Sequence, residues 1–172
     1  MALKKTYMKR GFLNYLIFSG IFFANIINPN KSIALTLENI DIPKVISYRS
    51  SSCSCCKKWI NHLRDNGLEV VDNIVEDVSA IKIQYQIPNN LRSCHSAQIG
   101  KYTIEGHVPI ESIKKLLEEK PLISGLAVPG MPHGSPGMEI HSHESHSHDY
   151  ESYEVVAFSE SGKTKIFDKI SP

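Results

Sequence analysis

Three of the chain's four cysteines fall inside four residues: Cys53, Cys55 and Cys56 of the stretch S-S-S-C-S-C-C-K-K-W at Ser50–Trp59. Thiols this dense constrain the fold more than any apolar stretch does. The backbone must present them together at a loop or a helix start, and other segments must close around them. The fourth, Cys94, stands in L-R-S-C-H-S-A and is followed at once by His95. Such a set binds a soft metal, exchanges disulfides, or does both.

The elements on either side of these cysteines follow from periodicity. Lys44–Tyr48 reads as a strand that runs into the Ser-rich Cys loop. Cys56–Asn66 reads as a helix, with Trp59, Ile60 and Leu63 on one face and Gly67 ending it. Leu68–Val75 is rich in Val and Ile and reads as a strand. Ser79–Gln86 reads as a second helix stopped by Pro88. Ala97–Ile104, broken at Gly100-Lys101, reads as a hairpin, and Pro109–Glu119 as a helix with proline at its first position. Gly125–Gly137 is dense in Gly and Pro and reads as a constrained loop. Tyr153–Phe158 and Lys163–Phe167 read as a closing hairpin around Ser161-Gly162.

That order predicts an α/β fold of the thioredoxin-like kind: a mixed four-stranded sheet with flanking helices, followed by a Gly/Pro loop, a His-rich segment and a C-terminal hairpin. In this arrangement the first loop and the first helix start lie at one sheet edge. The positive end of the helix favours thiolates there. Cys94-His95 falls where redox proteins of this fold carry a cis-proline loop packed on the C-x-x-C loop. His95 standing in that place tilts the expectation from exchange towards metal binding. The turn Gly106-His107-Val108-Pro109 opens on the same edge, which makes His107 a neighbour of the cysteines.

A length of 172 residues is enough for one domain and a short leader. Lys4, Lys5, Lys9 and Arg10 precede an apolar run over Gly11–Ile27, and Ser32-Ile33-Ala34 is a small-x-small cleavage signal. Residues 1–34 are expected to be a secretory signal peptide cut after Ala34, and 35–172 a single metal-binding domain, exported to a compartment such as a periplasm. An uncleaved membrane anchor is the alternative. The formal net charge of +1 gives no reason to expect nucleic acid.

Three readings of the thiols compete. Structural disulfides are the weakest, because bridges within the cluster Cys53–Cys56 close only short loops, which removes little chain entropy. A thiol–disulfide oxidoreductase using Cys53 and Cys56 fits the C-x-x-C spacing, but an adjacent third cysteine would compete for exchange. A metal site of Cys53, Cys55, Cys56 and Cys94 fits best. Thiolates select Cu(I), Zn(II) or iron–sulfur clusters. Crowding three into C-x-C-C suits bridging thiolates and more than one Cu(I) better than one tetrahedral zinc, and silver is a further alternative. His107 and, in the Gly/Pro loop, Met131, His133 and Met138 are secondary donors. So are His141, His143, His146 and His148 of the His-rich loop at 139–150, whose imidazoles suit Cu(II), Zn(II) or Ni(II). Trp59 reads as core rather than function.

The chain resembles the CopG-type family of exported metal-binding proteins associated with copper resistance. The resemblance is carried by C-S-C-C-K-K-W at Cys53–Trp59, H-L-R-D-N-G at His62–Gly67 and L-R-S-C-H-S-A at Leu91–Ala97. It continues in Y-T-I-E-G-H-V-P at Tyr102–Pro109 and is longest in K-P-L-I-S-G-L-A-V-P-G-M-P-H-G-S-P-G-M-E at Lys120–Glu139. It implies a thioredoxin fold turned to copper, with Cys53, Cys55, Cys56 and Cys94 as ligands of a multinuclear thiolate cluster. It also implies interconversion of Cu(I) and Cu(II) in the periplasm, hence copper ions and either an electron acceptor or other periplasmic copper-handling proteins as partners. Two features depart from the pattern: Ser54 stands where the family usually has glycine, and the His run is an addition.

Overall fold

A computed structural model describes residues 43–139 and 150–171. The expected leader and the four histidines of the run lie outside these residues. The chain order is β1 (Val45–Arg49), α1 (Ser54–Asp65), β2 (Val70–Ile74), α2 (Val78–Gln84), β3 (Ser96–Ile99), β4 (Tyr102–Glu105), α3 (Ile110–Glu119), β5 (Gly125–Ala127), β6 (Tyr153–Phe158) and β7 (Thr164–Ile170). Among the described residues no helix is long and apolar enough to cross a membrane.

The helix α1 forms where its apolar residues recur at helical spacing. Cys56, Trp59, Ile60 and Leu63 make one buried stripe. It begins two residues earlier than its sequence pattern suggests, because Cys53 takes the N-cap position and its sulfur faces the Cys56 N–H at 3.3 Å. It ends in paired bonds from Gly67 N–H to Arg64 O and from Leu68 N–H to Leu63 O, the two bonds of a Schellman turn. At α3, Pro109 is the cap rather than the first helical residue.

The sheet is mixed and seven-stranded, in the order β2-β1-β3-β4-β5-β6-β7. This corrects the expected four strands. The four are present: β1 and β2 pair in parallel, and β1–β3 and β3–β4 pair antiparallel. The sheet does not stop there. Gly125–Ala127, inside the stretch expected to be loop, is a strand parallel to β4 and antiparallel to β6. Its three residues are too few to show any alternation, and their Gly/Pro surroundings mask it. At Gly125 any Cβ would run into the backbone of Thr103, so only glycine allows this pairing. Through β5 the closing hairpin β6–β7 becomes part of the same sheet.

The main core joins Trp59, Ile60 and Leu63 of α1 and Ile110, Ile113 and Leu116 of α3 to Val45, Ile99, Ile104 and Leu126 of the sheet. Arg49, the last residue of β1, ties the end of this strand to β2 with a two-point pair to Asp72 (2.9 and 2.7 Å) and donates to Ser50 O at the start of the Cys loop.

Candidate metal centre

The four cysteines converge as the sequence predicts. Their sulfurs all lie within 4.8 Å of one another. Cys53 and Cys56 are joined in a disulfide with a Cα–Cα separation of 5.3 Å, leaving Cys55 and Cys94 as thiols. Cys56 is fully buried on the core stripe of α1, while Cys53, Cys55 and Cys94 are half-buried. Cys55 Sγ sits 3.5 Å from Cys53 Sγ.

Cys94 arrives from the segment before β3, and a buried carboxylate fixes that segment. Glu105, on the neighbouring β4, is fully buried. It accepts from the Ser93 N–H (2.6 Å), the Ser96 hydroxyl (2.6 Å) and the Lys82 ammonium (2.6 Å). These contacts bracket Cys94-His95 on both sides. Lys82, brought in by α2, also reaches Ser96 Oγ at 3.1 Å. Sequence reading missed this pair, because a Lys in a short helix and a Glu in a strand carry no local signal of meeting.

His107 is where the turn before α3 was expected to place it. Its Nε2 is 3.1 Å from Cys94 Sγ, and its Nδ1 is 2.8 Å from Pro136 O. Because a carbonyl can only accept, Nδ1 carries the proton and Nε2 presents a lone pair to the sulfur. His95 was noted in the sequence for its position and not as a donor. Its Nδ1 also faces Cys94 Sγ, at 3.3 Å. The signal that could have found it was its adjacency to a cysteine. The His95 ring lies against the Trp59 indole (4.4 Å between centroids) and edge-on to His107 (5.0 Å). Its Nε2 has no hydrogen-bond partner among the described residues. Trp59 is core as expected, its Nε1–H donating to Val108 O.

The electrostatics favour neutral groups. Burial holds the His95 ring well below the usual imidazole range, helped by His107 and by the Lys82 and Arg49 cations. Burial lowers His107 too, against the opposing pulls of Pro136 O and Glu139. The Cys94 thiol is pushed up to about 12 by burial and then by the neighbouring Cys55. The helix-start argument for easy ionisation therefore does not extend to Cys94, which lies in the segment before β3. Metal binding there must displace a proton.

The Gly/Pro loop folds over the first turn of α1. Gly137 lies so close that a Cβ would sit 2.6 Å from Cys55 O and 2.8 Å from Trp59 N. The loop is tied internally by Ser135 Oγ to Pro132 O (2.7 Å) and Gly137 N to Glu139 Oε1 (2.7 Å). As a result Met131, His133 and Met138 line one open depression with Cys55, Lys58 and Glu139, of about 380 Å³. Met131 and His133 are exposed and Met138 half-buried. His141, His143, His146 and His148 lie outside the described residues, so of the secondary donors His107, Met131, His133 and Met138 are placed.

Residues 91–138 match the model of a protein family of unknown function, DUF411. That span holds Cys94, His95, His107 and the Gly/Pro loop. No curated protein matches the chain. Two solved structures are similar at 38% identity and a TM-score of 0.67, each described as copper resistance protein CopG. One, form 2, is matched over 75% of this chain and 98% of its own. The other, form 1, is matched over 76% and 99%.

Proposed function

Because the chain belongs to the CopG family of copper resistance proteins, we propose that it is an exported, periplasmic copper-binding protein that holds Cu(I) through Cys53, Cys55, Cys56 and Cys94. The observation that carries this is the approach of all four sulfurs to within 4.8 Å, which is the spacing of ligands that share or bridge metal ions. Thiolates prefer Cu(I) among the available ions, and four of them in so small a volume suit more than one. The first four strands, β2-β1-β3-β4, with the Cys loop at the end of β1, support reading this part as thioredoxin-like.

Each residue has a role in this reading. A dithiol reductant first opens the Cys53–Cys56 disulfide, transferring two electrons and two protons to give two thiols. Binding of Cu(I) then displaces the thiol protons. His107, its Nδ1 held by Pro136 O, offers an oriented nitrogen beside Cys94. Met131, His133 and Met138 make the depression over Cys55 a path of soft and intermediate donors by which copper enters or leaves. The His run holds Cu(II) at an outer, weaker site. Interconversion of Cu(I) and Cu(II) is part of the proposal, with an electron acceptor or donor outside this chain.

A second reading has one observation in its favour. The disulfide joins a half-exposed Cys53 to a buried Cys56, the arrangement of an oxidoreductase whose outer sulfur is attacked first. Anaerobic Cu(I) titration of the fully reduced protein separates the two. Several Cu(I) per chain with thiolate-to-copper absorption, followed by a Cu(II) paramagnetic signal on admitting oxygen, supports the copper reading. No Cu(I) binding, with rapid reduction of a test disulfide, supports exchange instead.

A further inference from the structure

The proposed cage uses all four sulfurs, yet in the disulfide form two of them are unavailable. What remains is a different donor set, hinged on Cys94. Cys94 Sγ, one nitrogen of His95 and one of His107 lie within 4.8 Å of one another. We propose that, while the Cys53–Cys56 disulfide is closed, Cys94, His95 and His107 hold a single Cu(II) ion. This rests on the copper reading above and adds to it a distinct site, so that opening and closing one disulfide selects between an all-sulfur and a mixed donor set.

The distances suit a shared ion. Donors bound at the usual ligand distances to one centre stand roughly 3–4 Å apart. The two sulfur-to-nitrogen separations here are 3.1 and 3.3 Å. The orientation suits it as well. Pro136 O fixes the proton of His107 on Nδ1, leaving Nε2 aimed at the sulfur, and a metal-bound imidazole usually has such a carbonyl behind it. Both rings are fully buried and locked, His95 against Trp59 and His107 against the Gly/Pro loop. Cys94 remains half-buried, which gives an ion a way in.

The chemistry names the ion. One thiolate with two imidazoles is a set that copper takes as Cu(II). A Cu(II) ion oxidises thiolates when two can join, each of two copper ions taking one electron as the disulfide forms. With Cys53 and Cys56 already joined, that outlet is closed. Only Cys55 stands near Cys94 as a competing thiol.

The test uses the disulfide-intact protein with His141, His143, His146 and His148 replaced by Asn, so that the run cannot contribute. Titration with Cu(II), and in parallel with Co(II) as an ion that does not oxidise thiols, should give one bound ion per chain. Both should show an intense sulfur-to-metal charge-transfer band. Cys94→Ser should abolish the band, and His107→Gln should weaken binding by about tenfold or more. Binding without a sulfur band, an unchanged His107→Gln titration, or consumption of Cu(II) with formation of a Cys55–Cys94 disulfide would each overturn the site. The reduced protein's Cu(I) titration is an independent readout. Cu(I) binding by the reduced form with no band in the oxidised form removes this site and leaves the four-sulfur cage standing. The converse result removes the cage alone.

Discussion

Cys94 Sγ lies 3.1 Å from His107 Nε2, although the two residues sit in different connecting segments, one before β3 and one before α3. Cys94 is thereby the one cysteine in contact with both halves of the centre, the sulfurs of the α1 start and the imidazoles behind them. Its replacement should be felt in every metal-binding assay. Cys94→Ser is expected to reduce both the number of Cu(I) ions bound by the reduced chain and their affinity, the latter by roughly tenfold or more. Competition against a Cu(I) chelator of known strength measures both. Unchanged stoichiometry and affinity would show that the convergence of the four sulfurs has no bearing on copper.

The two buried imidazoles make the metal-free protein acid-sensitive. His95 and His107 both titrate below their ordinary value of 6.5 in the folded chain. The unfolded chain therefore binds more protons as pH falls through that value, and stability decreases with falling pH. It is fully present above the unfolded value and lost below it. For His95 the slope approaches about 1.4 kcal/mol per pH unit below the unfolded value. Urea unfolding of the metal-free, disulfide-intact protein at pH 7.5, 6.5 and 5.5 should show the midpoint falling mainly over the lower interval. His107→Gln should flatten part of the slope.

Much of the centre was legible because its signals are local. C-S-C-C before an amphipathic helix places three sulfurs at a helix start, and element order alone brings Cys94 and His107 to the same edge. The three strands added to the sheet were not legible as such. The hairpin β6–β7 was, but its docking depends on β5, whose three residues carry no period and whose close approach to Thr103 is a tertiary fact. Likewise Met131, His133 and Met138 could be named as donors from their chemistry, yet their gathering over Cys55 depends on Gly137 meeting α1. The Lys82–Glu105 pair was invisible for the same reason: its members are 23 residues apart and meet only across packed elements.

That pair should be costly to break. Glu105 is fully buried and Lys82 nearly so, and the carboxylate also satisfies Ser93 N–H and the Ser96 hydroxyl. Glu105→Ala leaves a buried ammonium without its counter-charge and two donors without an acceptor. A loss of about 3–5 kcal/mol is expected. Combining Lys82→Met with Glu105→Ala should recover only part of it, since Ser93 and Ser96 remain unpaired. Full recovery would mean that the carboxylate serves only to neutralise Lys82 and does not hold the Cys94 segment. Thermal or urea unfolding of the single and double variants decides between them.

Gly137 gives the sharpest test of how the Gly/Pro loop closes the site. Its φ is +87°, and an added Cβ would come 2.6 Å from Cys55 O and 2.8 Å from Trp59 N. Both are backbone atoms of α1, so neither can move without unwinding the first turn. In Gly137→Ala the loop must therefore lift, drawing Pro136 O away from His107 and opening the depression over Cys55. A destabilisation of about 1–3 kcal/mol is expected from strain and lost contact. Alkylation of Cys55 in the disulfide-intact protein should become faster at the same time, read by mass after a timed pulse of iodoacetamide. Faster alkylation with little change in stability would locate the loop's role in covering the thiol rather than in holding the fold. Equal rates in the two proteins would mean that the loop does not shield Cys55.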